Sequence, residues 1–279
     1  MDLNWDLRWS MNKNTQFRTD SLGQQTITGM TSTGSLERSY MAFPDFLFFG
    51  LFNTNVDAVA ERYRKLRSED TTANPSELLT QAFEDGFEAV PWLTRTFGGF
   101  LPRMNWGLRW DGLEKLAFLQ GFADRISFEH RYASTLTTAY HSDPESGERI
   151  TESKRVGFNF APLIGLTFSF NKLWGGDMTV NSRWGKQKNF DLNTSSSNIV
   201  EQATDEITLT ANFRKSGFDM PLFGLSLKND IDFSFSFSMT KSSSFVYEIN
   251  NLEAGGLPRE GTTRITIEPR VRYTISQRV

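Results

Sequence analysis

Leu225-Ser226-Leu227-Lys228-Asn229-Asp230-Ile231-Asp232-Phe233-Ser234-Phe235-Ser236-Phe237-Ser238-Met239-Thr240 is the stretch on which the fold turns. Its odd positions are apolar except for Asn229, and its even positions are serine, threonine, lysine or aspartate. A period of two places residues i, i+2 and i+4 on one side of a β-strand, so this stretch is a strand with one greasy and one polar face. Strands of soluble proteins run to about five or six residues. A tilted strand crossing a bilayer needs about 9 to 11. At about 3.3 Å per residue, alternation kept up over residues 225–240 reaches roughly 50 Å, enough to cross a membrane obliquely and project beyond it.

The same pattern recurs on both sides. From Arg125 to His141, Ile126, Phe128, Tyr132, Leu136 and Tyr140 oppose Arg125, Glu129, Arg131, Thr135 and Thr137. From Arg264 to Thr274, Ile265, Ile267, Val271 and Tyr273 oppose Arg264, Glu268, Arg270 and Arg272. Shorter versions occur at Val156-Phe160, Leu166-Phe170, Met178-Val180 and Ile207-Phe213, for roughly ten strands in all. Asn4-Trp5-Asp6-Leu7-Arg8-Trp9 returns almost unchanged as Asn105-Trp106-Gly107-Leu108-Arg109-Trp110, with both indoles on one face. In a barrel that face meets the lipid interface; in a soluble sheet it would form a tryptophan-rich core.

Residues 54–90 read differently. Val56, Val59, Ala60, Tyr63 and Leu66 have helical spacing, and Leu78, Leu79, Ala82, Phe83 and Phe87 follow the helix-start signal Asn74-Pro75-Ser76-Glu77. Two amphipathic helices are expected as an insertion between strands, on the rim of a barrel or folded into its lumen. Turn chemistry marks Ser142-Gly147, Gly175-Asp177 and Asn250-Gly261, while the polar run Asn193-Asn198 fits a bulge, a turn or a strand extension.

Composition narrows the function. The chain has 279 residues, no cysteine, two histidines and a net charge of −3. No thiol nucleophile, thiolate metal site or disulfide scaffold is possible. Its longest nearly unbroken apolar run is Phe46-Phe52, too short for a membrane helix of about 20 residues. The start, Met1-Asp6, carries no signal-peptide pattern, and the alternation is still running at Val279, so a segment of a longer protein is expected. His130 and His141 have no metal-site spacing around them, and His130 shares the face of Phe128 and Tyr132, a structural position. Glu84-Asp85 is expected on a solvated helix surface and Asp230 and Asp232 on a solvated strand face. No phosphate loop, nucleophile elbow or calcium loop occurs, and the basic residues are interspersed with acidic ones. An enzyme and a nucleic-acid binder are therefore not expected. No catalytic, cofactor-binding or metal residue is assigned, and no cofactor.

The expected fold class is all-β: residues 1–279 form part of one antiparallel transmembrane β-barrel with a short two-helix insertion at 54–90. Arg125, Glu129, Arg131, Lys228, Asp230, Asp232, Arg264, Glu268, Arg270 and Arg272 are costly against hydrocarbon but at ease against a watery lumen.

Four stretches in series resemble the C-terminal barrel region of the SprA/Sov family, the outer-membrane translocon of the type nine secretion system. They are Asp111-Gly112-Leu113 leading into Arg125-Ile126-Ser127-Phe128-Glu129-His130-Arg131-Tyr132-Ala133-Ser134-Thr135; Ala161-Pro162-Leu163-Ile164-Gly165-Leu166; Asn229-Asp230-Ile231-Asp232-Phe233-Ser234-Phe235; and Gly261-Thr262-Thr263-Arg264-Ile265-Thr266-Ile267-Glu268-Pro269-Arg270-Val271-Arg272-Tyr273. The resemblance covers most of the chain after residue 101. It implies location in the cell outer membrane and a passive conduit for secreted proteins, in a family that also supports gliding motility. The partners implied are the outer-membrane bilayer, the remaining strands of a larger barrel, secreted cargo and accessory secretion subunits. The family has no catalytic residues to carry over. The alternatives are a small independent porin or lipid- or lipopolysaccharide-handling barrel, and a soluble β-rich surface module.

Overall fold

The computed structural model describes residues 1–19, 23–40, 56–88, 96, 103–143, 148–222, 225–248 and 256–273. Among these residues ten strands form one antiparallel sheet: β1 (Asp2–Asn4), β2 (Leu7–Thr19), β3 (Gln25–Ser39), β4 (Asn105–Asp111), β5 (Arg125–Ser142), β6 (Arg149–Leu173), β7 (Gly176–Asn193), β8 (Asn198–Leu222), β9 (Leu225–Glu248) and β10 (Leu257–Tyr273). Two helices, α1 (Val56–Glu69) and α2 (Pro75–Phe87), lie between β3 and β4. From β5 onward every strand pairs with its neighbour in sequence. The founding alternation at 225–240 belongs to β9, which extends to 24 residues. The short patterns at 156–160 and 166–170 are one strand of 25 residues, β6, bent by two extra residues around Pro162.

The helices interrupt a strand rather than a loop. β3 pairs with residues 135–142 of β5, and β4 pairs with residues 127–132 of the same edge and in the same direction. The line therefore leaves the sheet after Ser39 and resumes at Asn105. Its ends are sewn together: Tyr40 N donates to Ser134 O, Arg103 N donates to Ser39 O, and Asn105 Oδ1 accepts from Ser134 N. The two tryptophan echoes meet at this seam, where Asn4 faces Asn105 in antiparallel register. β1 and β2 likewise make one line against β4 and β3, so ten strands occupy eight positions.

The sheet is open. β2 pairs with β3 alone and β10 with β9 alone, so the expected antiparallel strands form a sheet that does not close on itself. Closure requires strand number, tilt and stagger to agree around a full circle, and that is a property of the whole set of strands rather than of any one.

Asn193-Asn198 proves to be the β7–β8 turn: Asn193 Oδ1 accepts from the backbone N–H of Ser195 and Ser196. Pro258, Glu260 and Gly261, expected within a turn, start β10, with a register shift between Pro258 and Glu260.

The helix pair is built on ordinary signals. Asn74 Oδ1 accepts from Ser76 N at 3.0 Å and Pro75 takes the first turn of α2. Buried Val56, Val59, Ala60 and Tyr63 of α1 pack with Leu78, Leu79, Ala82, Phe83 and Phe87 of α2. A Cβ at Gly86 would lie 2.8 Å from the Val59 backbone, so glycine sets the distance between the helices. Gly86→Ala is expected to loosen the pair by about 1–3 kcal/mol, read as faster hydrogen exchange over residues 56–87 with β5–β9 unchanged.

Candidate functional surface

Register carries the alternation across the whole sheet. Four successive rows over β6 to β10 read Ile164-Trp184-Ile207-Met239-Ile265, Leu166-Ser182-Leu209-Phe237-Ile267, Phe168-Val180-Ala211-Phe235-Pro269 and Phe170-Met178-Phe213-Phe233-Val271. Ser182 is the single polar residue in them. The band continues onto β5 at Phe128 and Ile126 and onto β4 at Trp110, opposite Phe128. Much of it lies bare: Trp110, Ile265, Ile267 and Val271 are all more than half exposed. At the short-turn end Phe118, Phe122 and Trp174 are exposed, with Phe122 set edge-on to Phe168 and Phe170 and Trp174 beside Phe213.

The other face is polar in every row: Gly165-Arg183-Thr208-Ser238-Thr266, Thr167-Asn181-Thr210-Ser236-Glu268, Ser169-Thr179-Asn212-Ser234-Arg270 and Asp177-Arg214-Asp232-Arg272. Its side chains join across strands. Thr167 Oγ1 donates to Asn181 Oδ1 at 2.9 Å, Arg183 reaches Glu129 at 3.5 Å, and Arg214 meets Asp230 and Asp232 at 3.2 and 3.6 Å. Asp230 and Asp232 thus sit on the exposed polar face, as their sequence position indicates.

Above the band, the apolar face changes character. A charged stripe crosses β7 to β9, with Lys186 paired to Asp205 (3.3 Å), Lys188 paired to Glu201 (2.7 Å), and Lys241 opposite Asp205. Beside and beyond it the face is apolar again, but here Tyr132, Leu136, Val156, Phe158, Phe160, Phe190, Leu192 and Ile199 are buried in one core with residues of the two helices. Phe87 stacks against Phe190 with ring centroids 4.5 Å apart. The helical insertion therefore lies on the apolar side of the sheet. The strand face chooses: Leu136, Val156 and Phe190 are aligned by register and offer a dry surface, while Thr135, Arg155 and Asp191 on the reverse do not.

Glu84 departs from its expected place on a solvated helix surface. It is largely buried and ties α2 to two strands, pairing with Arg38 of β3 and with Lys154 of β6 at 2.6 Å. Tyr40 donates its hydroxyl to the Glu84 backbone carbonyl. Burial raises the Glu84 pKa, but Lys154 and Arg38 outweigh it and hold the carboxyl below its usual range. Burial, with Glu88 and Glu84 nearby, pushes the Tyr40 phenol well above its usual range. Arg103 and Glu88, both buried, pair at 2.6 Å and join the end of α2 to the returning strand. No periodicity marks these pairs, because they couple residues 15 to 70 positions apart.

His130 lies on the apolar face beside Trp106, which stacks on Tyr132. Trp106 Nε1 donates to His130 Nε2 at 3.2 Å, so Nδ1 carries the proton and donates to Leu163 O at 2.7 Å. Both ring nitrogens are thus engaged in holding β4, β5 and the β6 bulge together. His141 sits on the opposite face, 2.9 Å from Glu152. Among the described residues no cluster of three or more histidine, aspartate or glutamate side chains is arranged to hold a metal, and no helix is long and apolar enough to cross a membrane.

What the arrangement offers is a partition of surfaces: a greasy band, a charged stripe above it, a helical cover beyond that, and a hydroxyl- and ion-lined reverse. Compared in sequence with protein-family models and with curated proteins, the chain gives no match.

Proposed function

We propose that this chain is a segment of the wall of an outer-membrane β-barrel, and that it serves a protein-export channel of the SprA/Sov kind as a passive conduit surface. One observation carries the reading: the apolar rows keep register over β6 to β10, and on β7 to β9 they give way to a stripe of charges with Lys186, Asp205 and Lys241 in one row. On β9 the band runs from Ile231 to Met239, the nine or so residues that a tilted strand needs to cross hydrocarbon. The stripe with Lys186, Lys188 and Lys241 then lies among lipid headgroups, the helices stand outside the bilayer, and the Ser/Thr/Asn-rich reverse faces water. The end of the sheet where Leu173 meets Gly176 faces the periplasm, and the end with Ser142, Asn193 and Asn198 faces outward with the helices. Cargo and accessory subunits act on the polar reverse and the helical rim. Transport energy comes from elsewhere.

Fractionation of native cells, probed with an antibody against residues 225–279, tests the reading. Recovery in the outer membrane is the expected result. Recovery in the soluble fraction would sink it and make the chain a surface module whose apolar band is covered by protein.

A further inference from the structure

Among the described residues the outer edge of β10 is a row of backbone groups with no strand beside it, and in a bilayer such groups must be paired. Its polar side chains indicate with what. Elsewhere in the sheet cations meet carboxylates on a neighbouring strand: Arg155 with Asp191, Lys186 with Asp205 at 3.3 Å, Arg214 with Asp232 at 3.6 Å. Among the described residues β10 makes no such pair, although Glu268 shares the face of Arg264, Arg270 and Arg272. Arg264 and Arg270 lie opposite Thr240 and Ser234, and Arg272 lies opposite Asp232, which Arg214 already holds. Among the described residues none of the three has an ion-pair partner.

We propose that β10 is an interface for one further antiparallel strand, apolar on the side of Ile265 and Ile267 and carrying carboxylates beside Arg264, Arg270 and Arg272. The proposal rests on the membrane reading above, because only there is a bare edge forbidden. Two nearer occupants fit less well. β2 has the right direction to close the sheet, but from Arg8 to Arg18 its polar face reads Arg, Ser, Asn, Asn, Gln, Arg, without a carboxylate. A second copy paired antiparallel about Thr266 would match Arg264 with Glu268, yet that two-fold axis lies in the membrane plane and turns the partner upside down. Pro269 lacks an N–H and costs the new ladder at most one bond.

The sequence has no cysteine, so Thr266→Cys gives the full chain a unique site for a fluorophore. The variant, folded in detergent micelles, is titrated with two synthetic strands of about 15 residues, alternating valine and phenylalanine with either aspartate or lysine. The aspartate strand is expected to bind about ten-fold more tightly, about 1.4 kcal/mol shared by three cross-strand pairs. Arg264→Glu with Arg270→Glu and Arg272→Glu should reverse the order, and the three Arg→Lys changes should preserve it; far-UV circular dichroism verifies folding of each. Equal binding of the two strands by folded protein overturns the proposal. So does a disulfide-linked dimer of unlabelled Thr266→Cys, which would assign the edge to a second copy. Binding is read in detergent, so soluble recovery on fractionation leaves this result standing, and equal binding leaves outer-membrane recovery standing.

Discussion

Phe237→Arg is expected to weaken folding into a lipid bilayer by about 2–4 kcal/mol, whereas Ser238→Arg one residue away should stay within about 0.5 kcal/mol. Phe237 occupies the second of the four apolar rows, between Leu209 and Ile267, and Ser238 faces the reverse between Thr208 and Thr266. At the bilayer midplane the guanidinium must be dragged toward the headgroups or carry water with it. On the polar face it joins a wet surface that already holds Arg183. The measurement is a denaturant titration in lipid vesicles, with the fraction inserted read by protease protection. Equal, small effects at the two positions would mean that both faces see water, which would remove the membrane reading.

The second large effect belongs to the helical cover. Glu84→Ala leaves Arg38 and Lys154, whose side chains are 8% and 10% exposed, without their common counter-ion. Removing one partner of a buried pair costs about 3–5 kcal/mol; the partial exposure of Glu84 places the expected loss near the lower end, about 3 kcal/mol. Loss should appear as release of α1 and α2, followed by limited proteolysis between residues 56 and 88. The strands, held by their own ladders, should persist. The same pair predicts a pH dependence. The folded-state pKa of Glu84 is depressed, so its contribution is full above the unfolded value of about 4.3 and is lost as pH falls through the lower folded value. Protease release of the helices should therefore rise steeply below about pH 4, and Glu84→Ala should flatten that rise. An unchanged pH profile in the variant would assign the acid sensitivity to other carboxylates.

Legibility in the sequence followed the range of the interactions. β9 and β10 were plain because Phe233-Phe235-Phe237 and Ile265-Ile267 alternate with serine and arginine inside a single strand. The β2–β3 hairpin was poorly marked: Asn12, Asn14, Thr31, Ser32 and Thr33 are polar on both faces, so no period of two stands out, although the pairing runs from Leu7–Arg38 to Thr19–Gln25. The helices announced themselves through Asn74-Pro75 and the 3.6-residue spacing of Leu79, Ala82, Phe83 and Phe87. Their seat did not. It depends on Val156, Phe190 and Ile199, which come from three strands and become neighbours only through register.

Local chemistry in the sequence thus determined that the chain is strand-rich, two-faced and interrupted by one helical pair. Side-chain alternation and capping act within a few residues and need no partner to be read. Tertiary structure alone decided the open sheet, the split strand rejoined at Ser39 and Asn105, the alignment of the apolar rows and the burial of Glu84 between Arg38 and Lys154. Each of these depends on strand register, which is set by many backbone pairs acting together over long separations.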